Sequence, residues 1–401
     1  MSSEPVDLAI VGAGIIGLAT AHRYIAKHPG QSVLILERES GFAHHQTGRN
    51  SGVLHSGIYY APGSMKAELA VAGRSAMVDF CQERGIDHEV CGKVIVATRD
   101  DEIERLRALS GRAELNGLSA ELIDAGRLTE IEPHCNGIEA LYVPSTGIVS
   151  YSKVCEALRI EIEESGGSVR FDTSVLNVEE SEVGARISTS GGEIFARFLV
   201  NCAGLRCDQV AGMVNAAEGN RIVPFRGEYY ELVPERSHLV KGLIYPVPDP
   251  SFPFLGVHLT RMIDGSIHAG PNAVLALSRE GYRWRDVQPS QILEHVTNRG
   301  LWKLARKYWR TGAGEVWRSL NKAAFVRALQ RLVPEIESKD LEASPAGVRA
   351  QAMDANGELL DDFAITRSGN SLHVINAPSP AATASLEIGG RIVEMIEERE
   401  S

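Results

Sequence analysis

Val6-Asp-Leu-Ala-Ile-Val-Gly-Ala-Gly-Ile-Ile-Gly17 carries the first apolar run of the chain into three glycines, and Ser32-Val-Leu-Ile-Leu-Glu37 ends a second run on an acid. That acid stands twenty residues after Gly17. Strand, glycine turn, helix, strand and acid, in that order, form the pattern of a dinucleotide site. Gly12 allows the tight turn, Gly14 lets the backbone approach a pyrophosphate, and Gly17 lets the helix pack closely on the sheet. The helix aims its free N–H groups and positive dipole end at the phosphates. Glu37 can accept hydrogen bonds from both hydroxyls of an adenosine ribose and would repel a 2′-phosphate, which disfavours NADP. The competing reading is a structural turn in an α/β protein, and the motif alone does not choose FAD from NAD.

With 401 residues the chain exceeds what one core usually holds, so two domains are expected, interleaved along the sequence. Hydrophobic residues at 44% and charged residues at 23% describe an ordinary globular protein. A formal net charge of -11 argues against nucleic acid as a partner. The six cysteines, at 81, 91, 135, 155, 202 and 207, form no CxxC pair, so neither a zinc site nor a disulfide framework is indicated. The N-terminus lacks the basic and apolar regions of a signal peptide, and no apolar run approaches the ~20 residues of a membrane span. A cytoplasmic protein with reduced thiols and no metal site is expected.

Residues 41–60 are a loop rich in Gly, His, Ser and Asn, with too many glycines for an ordinary core element. Loops of this length in compact domains are often functional. In FAD proteins a segment here lines the pyrophosphate and flavin, whereas NAD proteins usually proceed straight to the next crossover, so the loop tips the choice to FAD.

Residues 64–84 read as an amphipathic helix with Leu69, Ala72, Ala76, Met77 and Phe80 on one face. Residues 90–98 read as a strand, 100–115 as a helix capped by Asp100 and Asp101, and 138–149 as strand and turn. A helix is expected over 150–165, strands over 168–179, 185–188 and 193–200, and then the turn Asn201-Cys-Ala-Gly204, a second place where the sheet's carboxyl edge meets a cofactor.

Residues 221–271, rich in β-formers and punctuated by prolines at 224, 246, 248, 250 and 253, suggest an antiparallel sheet walling a substrate cavity. Residues 291–332 are helical and form the one strongly basic region, in which, between residues 303 and 331, Lys303, Arg306, Lys307, Arg310, Arg318, Lys322, Arg327 and Arg331 stand against a lone Glu315. Trp302, Trp309 and Trp317 are interleaved with them. Two readings stand: a solvated helix face with its tryptophans in the core, or an interfacial surface that docks on anionic lipid. Strands are expected near 363–366 and 372–375, and the segment 376–385 opens a last helix, whose N-terminus either stabilises negative charge on a reduced flavin or is only a proline-started end.

Taken together, His45-Gln-Thr-Gly-Arg-Asn-Ser-Gly-Val-Leu-His-Ser-Gly-Ile-Tyr-Tyr60, Arg221-Ile-Val-Pro-Phe-Arg-Gly-Glu-Tyr229, Ile244-Tyr-Pro-Val-Pro-Asp249, Phe252-Pro-Phe-Leu-Gly-Val-His258, Gly270-Pro-Asn-Ala-Val274, Gly347-Val-Arg-Ala-Gln351 and Asn376-Ala-Pro-Ser-Pro-Ala-Ala-Thr383 resemble one family in order and spacing. That family is the FAD-dependent D-amino-acid-oxidase-like superfamily, and more closely its L-2-hydroxyglutarate dehydrogenases. The resemblance runs over nearly the whole chain. Arg49 stands where the family often has His, and Glu228 where it often has Asp; the segment from about residue 284 to 329 is less alike.

The resemblance implies an α/β (α+β overall) architecture, a Rossmann-like FAD-binding domain over residues 1–85, 145–215 and 340–401, interleaved with an antiparallel-sheet substrate domain over 86–144 and 216–339. It implies oxidation of L-2-hydroxyglutarate to 2-oxoglutarate with FAD reduced, and a quinone-type acceptor at the inner face of a membrane, or oxygen. It places FAD contacts on Gly12, Gly14, Ile15, Ile16, Gly17, Glu37 and Arg38, and on His45, Gln46, Thr47, Asn50, Ser51, Gly52 and Val53 of the loop. Further contacts fall on Val175, Ala203, Gly204 and Arg349, and on Pro378, Ser379, Pro380, Ala381, Ala382 and Thr383.

A 2-hydroxy dicarboxylate needs cations and hydroxyls for its carboxylates and a base near its hydroxyl. Arg349 is the expected carboxylate clamp, because related amine oxidases place an arginine at the end of the equivalent strand and a guanidinium fork grips a carboxylate bidentately. Arg226, Tyr59, Tyr60, Tyr229, Asn272 and Gln351 are the other candidate substrate contacts, with Arg226 alternatively holding backbone near the flavin and the tyrosines alternatively only packing. His55 and His258 compete for the role of base. One rival is an amine oxidase of the same superfamily acting on glycine, sarcosine or a D-amino acid. The other is a non-catalytic dinucleotide-binding protein.

Overall fold

Val6–Val11 lies between Val33–Leu36 and Gly192–Asn201, parallel to both. The computed structural model describes residues 5–249 and 255–398, so the Phe252–Pro253–Phe254 part of the cavity block, Pro250 and the extreme N-terminus lie outside the described residues. Ser168–Arg170 extends the parallel sheet beyond Val33–Leu36, and Ser371–Asn376 joins it beside the second half of Gly192–Asn201. Antiparallel pairs complete eight strands: Val175–Ser181 with Gly184–Thr189 at one edge and Ala364–Ser368 at Ser371–Asn376. Both faces are covered. Ile15–Lys27 packs with Tyr151–Glu164 and Ser385–Glu397 on one side, and the apolar strand residues between them are fully buried. Continuous apolar strands are what a parallel sheet buried on two faces demands.

The register brings three strand ends together. The Gly12 N–H donates to the Leu36 carbonyl at 2.8 Å, and the Cys202 N–H to the Val11 carbonyl at 2.9 Å. Gly12, Glu37 and Cys202 therefore share one edge of the sheet, the place where doubly wound sheets hold ligands.

A second sheet of nine strands carries Arg221–Leu232 and Leu341–Met353 as a long antiparallel pair. It continues through Ile267–Gly270, His258–Arg261, Leu243–Pro246, Lys93–Ala97 and Glu139–Val143 to Glu121–Asp124. The expected antiparallel sheet holds with one exception, since Leu243–Pro246 runs parallel to Lys93–Ala97. The strand Leu341–Met353, which falls in the expected FAD-binding segment 340–401, pairs within this second sheet. A single strand can only satisfy its backbone in the sheet it pairs with, and eleven register pairs tie it to Arg221–Leu232.

Local expectations need three corrections. The helix Asp100–Leu115 is not capped by its aspartates: the N-cap is Arg99, and Glu102 reaches back to accept the Thr98 N–H at 2.8 Å. Asp100 and Asp101 sit in the first turn, where they oppose the helix dipole instead. In the helix Met65–Glu83, capped by Ser64, the buried face runs through Ala67, Ala70, Gly73, Met77, Phe80 and Cys81, leaving Leu69 half-buried and Ala72 exposed. The face is turned because Gly73 is pressed on the last segment, where a Cβ would stand 2.6 Å from the Ala384 Cα. The basic region forms three helices, Pro289–Thr297, Arg299–Leu320 and Lys322–Leu329, parted at Asn298 and Asn321, whose side chains cap the helices that follow.

The tryptophans of that region are not in the core. Trp302, Trp309 and Trp317 are 61%, 63% and 58% exposed, and Leu320, Leu293 and Val296 are exposed beside them. Glu315, by contrast, is buried, accepts the Ala273 N–H at 3.0 Å and pairs with Arg318. Lys307 pairs with Glu358 and Lys322 donates to the Leu341 carbonyl. Among the described residues no helix is long and apolar enough to cross a membrane.

Candidate active site

One continuous cavity of about 1000 Å³ runs from the shared strand ends at Gly12 and Glu37 to the second sheet at Tyr245 and His258. At its first end Gly12 has φ +106°, and a Cβ there would lie 2.5 Å from the Cys202 carbonyl oxygen, so only glycine fits. Gly17 faces the same crowding from the helix side, 2.1 Å from the Gly12 oxygen. The helix Ile15–Lys27 starts at Gly14 without a side-chain cap, and its Ile15 N–H reaches Thr47 Oγ1 at 3.2 Å. Its dipole end is open to the cavity. Glu37 holds the Ala13 N–H on Oε2 at 2.8 Å and the Glu39 N–H on Oε1 at 3.0 Å, leaving each oxygen a lone pair for a ligand hydroxyl.

Beyond Glu37 the wall is cross-braced. Arg38 and Arg206 both bind Glu280, and His45 hydrogen-bonds Tyr282 at 2.6 Å, so the loop and the segment around residue 280 are held together across the cavity. Arg49 lies over the Tyr282 ring at 4.1 Å. Gln46 accepts the Ala350 N–H at 2.8 Å, fixing the strand that carries Arg349 to the loop.

At the other end Thr383 pins the loop to the last segment. Its hydroxyl accepts the His55 N–H at 3.1 Å and hydrogen-bonds Tyr151 at 2.8 Å, while Tyr151 donates to the Val53 carbonyl at 2.9 Å. His55 Nε2 stands 3.4 Å from Ser379 Oγ. His258 stacks on Tyr245 with ring centroids 4.0 Å apart, and its Nδ1 lies 2.8 Å from the Gly256 carbonyl. A carbonyl only accepts, so Nδ1 carries the proton and the Nε2 lone pair is left for another partner. Burial first, then the charges of Lys93, His258 and Arg349, hold His55 down at about 3. Burial, Arg349 and Lys93 do the same for His258, to about 3, against the Gly256 hydrogen bond. Both imidazoles are neutral at physiological pH. Burial pushes Tyr229 up despite its hydrogen bond to Arg349, and Tyr59 and Tyr60 also go up through burial, so all three remain O–H donors.

Most predicted residues meet here. His55, His258, Arg349, Tyr59, Tyr60, Tyr229 and Gln351 line the cavity, as do the loop residues 45–47, 50, 51 and 53, Val175, Ala203, Gly204 and 378–383. Four do not. Gly17 packs helix on turn, and Gly52, at φ +62°, supports Val149, whose carbonyl would meet its Cβ at 2.7 Å. Arg226 and Asn272 lie behind the sheet: Arg226 is fully buried, bound to Glu228 and stacked on Trp284 at 4.3 Å, and Asn272 bonds Glu228. Strand alternation explains it, since Gly227 and Tyr229 face the cavity and Arg226 and Glu228 face away. Missed were Tyr245 and, beneath it, Lys93, a lone lysine in the apolar strand Lys93–Ala97. A cation inside an apolar run was the available signal.

The family model described as FAD dependent oxidoreductase (DAO) matches residues 7–395. An L-2-hydroxyglutarate dehydrogenase of Indibacter alkaliphilus is 49% identical over 97% of this chain and 98% of its own length, and the mitochondrial L-2-hydroxyglutarate dehydrogenase of Homo sapiens is 44% identical over 99% and 90%. The chain belongs to the FAD-dependent DAO family, among its L-2-hydroxyglutarate dehydrogenases. The fold also matches an FAD-bound L-alpha-glycerophosphate oxidase of Mycoplasma pneumoniae with a TM-score of 0.81 at 20% identity, covering 98% of this chain and 95% of that one. As a member of the DAO family the chain is an FAD-dependent dehydrogenase. Its residues fit the cofactor: the glycine cradle, the uncapped helix end and Glu37 suit an ADP moiety, and the cavity continues from them to the histidines and Arg349.

Proposed function

We propose that the protein oxidises L-2-hydroxyglutarate to 2-oxoglutarate. The observation that carries this reading is the cavity end where His258, with Nδ1 bound to the Gly256 carbonyl, faces the same space as Arg349, Tyr229 and Tyr59. Bound FAD supplies the two-electron acceptor for the hydrogen on C2. The Arg349 fork, oriented by its hydrogen bond to Tyr229, holds the carboxylate next to C2. His258 Nε2 takes the hydroxyl proton as the C2 hydrogen departs. Burial depresses the imidazole most and the cations add to it; substrate carboxylates offset the cations, so their charge raises the affinity of Nε2 for that proton. Tyr59 and Tyr60 are hydroxyl donors for the distal carboxylate.

The test is anaerobic mixing of purified holoprotein with candidate substrates while following the visible flavin absorbance. L-2-Hydroxyglutarate is expected to bleach it, and glycine, sarcosine and D-amino acids are not. Bleaching by an amino acid in place of the hydroxy acid would establish the amine-oxidase alternative.

The electrons pass, in this reading, to a quinone-type acceptor at a membrane surface. The exposed Trp302, Trp309, Trp317 and Leu320 stripe, flanked by exposed Lys303, Arg306 and Arg310, supports docking on anionic lipid, because aromatic and basic side chains together suit the headgroup region. Flotation with anionic liposomes is expected to carry the protein upward, and Trp302→Ser with Trp309→Ser to abolish it. Wild-type protein that stays at the bottom of the gradient would remove the membrane from this scheme.

A further inference from the structure

Lys93 has no role in the scheme above, and its position is costly. It lies in the interior of the second sheet and is 1% exposed. Among the described residues no carboxylate offsets its burial. An ammonium buried without a counter-ion is strongly disfavoured, so an unpaired one marks a charge held for something else. Its Nζ lies 4.4 Å from the Tyr59 ring centroid and 5.0 Å from that of Tyr245. Tyr245 stacks on His258, and the charge of Lys93 is felt at both His258 and His55. Tyr59 lines the cavity, and its buried Oη has no hydrogen-bond partner among the described residues.

The acids that line the cavity are all engaged elsewhere. Glu37 holds two backbone N–H groups at the opposite end, Glu280 binds Arg38 and Arg206, Asp361 pairs with Lys66, and Asp362 accepts the Met65 and Lys66 N–H groups. At the end walled by Tyr59, Tyr245, His55 and His258 the charges of both Arg349 and Lys93 are felt at the two neutral imidazoles.

We propose that Lys93 is a positioning residue that selects a dianionic substrate, its ammonium acting through the Tyr59 and Tyr245 rings to make the cavity complementary to a second carboxylate. This rests on the reading of the substrate as a 2-hydroxy dicarboxylate. Arg349 takes the carboxylate beside C2, and Tyr59 Oη donates to the distal one. A cation on the face of a phenol draws electron density from the ring and strengthens its O–H as a donor. The same charge attracts the second carboxylate through space in a medium of low dielectric. Substrate is the counter-ion that the fold omits.

Burial lowers Lys93 from 10.5 to about 7, and the direction of the pH effect follows. Below that value the ammonium is charged and the preference for a dianion is present; above it the amine is neutral and the preference fades. Among the described residues the titratable groups in contact with Lys93 or feeling its charge are Tyr59, Tyr245, His55 and His258, and these stay neutral through that interval while Lys93 changes charge.

The experiment compares kcat/KM for L-2-hydroxyglutarate with that for L-2-hydroxypentanoate, which has the same carbon chain and one carboxylate, in wild-type holoenzyme, Lys93→Met and Lys93→Arg. Wild type is expected to prefer the dianion, Lys93→Met to lower the ratio by about tenfold or more, and Lys93→Arg to restore most of it. In wild type the ratio is expected to fall as pH rises from about 6 to about 9, across the depressed amine value. Wild-type preference that Lys93→Met leaves intact would overturn the role of Lys93 alone. Absence of a dianion preference in wild type would overturn the substrate reading with it. Should Lys93→Met not fold, the wild-type pH series decides, and a flat ratio overturns the proposal.

Discussion

His258→Asn is expected to slow reduction of the bound flavin by L-2-hydroxyglutarate by about 100- to 10,000-fold, the usual worth of a positioned general base. Asparagine can reproduce the Nδ1–H bond to the Gly256 carbonyl but has no counterpart to Nε2, so the strand stays in place while the base is lost. FAD content is expected to be unchanged, because the ADP cradle lies at the opposite end of the cavity. Stopped-flow flavin bleaching measures the effect. His55→Asn is the comparison, and a smaller loss is expected, since Thr383 holds the backbone of His55 and Ser379 stands beside its ring. If His55→Asn were the slower of the two, the roles of the histidines would be exchanged.

The depressed values of both histidines also couple stability to acid. Between the ordinary imidazole value and about 3, the unfolded chain binds protons that the folded chain refuses. Stability is therefore complete above the unfolded value and declines as pH falls below it. His258→Asn removes one of these groups and is expected to lessen the fall in Tm on acidification.

Arg349→Met is expected to lower kcat/KM at least about 100-fold, roughly 3 kcal/mol, the scale of removing one partner from a buried charge-assisted pair. Arg349→Lys is expected to recover only part, since an ammonium supplies charge without the bidentate fork. The measurement is steady-state turnover with a soluble electron acceptor, paired with the FAD content of each variant. Unchanged kcat/KM in Arg349→Met would show that the carboxylate is held elsewhere. The contrast with Arg226 sharpens the test. Both arginines sit on paired strands, but Arg226 is stacked on Trp284 and bound to Glu228 behind the sheet, so Arg226→Met should act through stability and leave the substrate contacts in place.

The same two arginines divide what could be read early from what could not. Gly12, Gly14, Gly17 and Glu37 were legible because each is required by a local constraint: a positive φ, a close approach, or a position a set distance along one strand–helix–strand unit. Ser64 as a helix cap and the strand ending at Asn201 follow from equally local rules. The expected aspartate cap at Asp100 failed because a cap depends on which residue leaves helical geometry, and Arg99 does.

The amino-acid sequence by itself determined the dinucleotide unit, the glycine-rich loop that closes on it, and the residue blocks whose order carries the family. Those are short-range patterns, and backbone geometry enforces them within a few turns of chain. Only the tertiary structure decided which face of Arg221–Leu232 meets the cavity, because a strand shows both faces alternately and only its packing turns Gly227 and Tyr229 inward. It also decided that the tryptophans of Arg299–Leu320 face outward, and that Lys93 comes to rest under Tyr59 and Tyr245. Tyr59 lies thirty-four residues before Lys93, and Tyr245 far beyond it. Burial and charge there are properties of the packed whole, which no local run of residues carries.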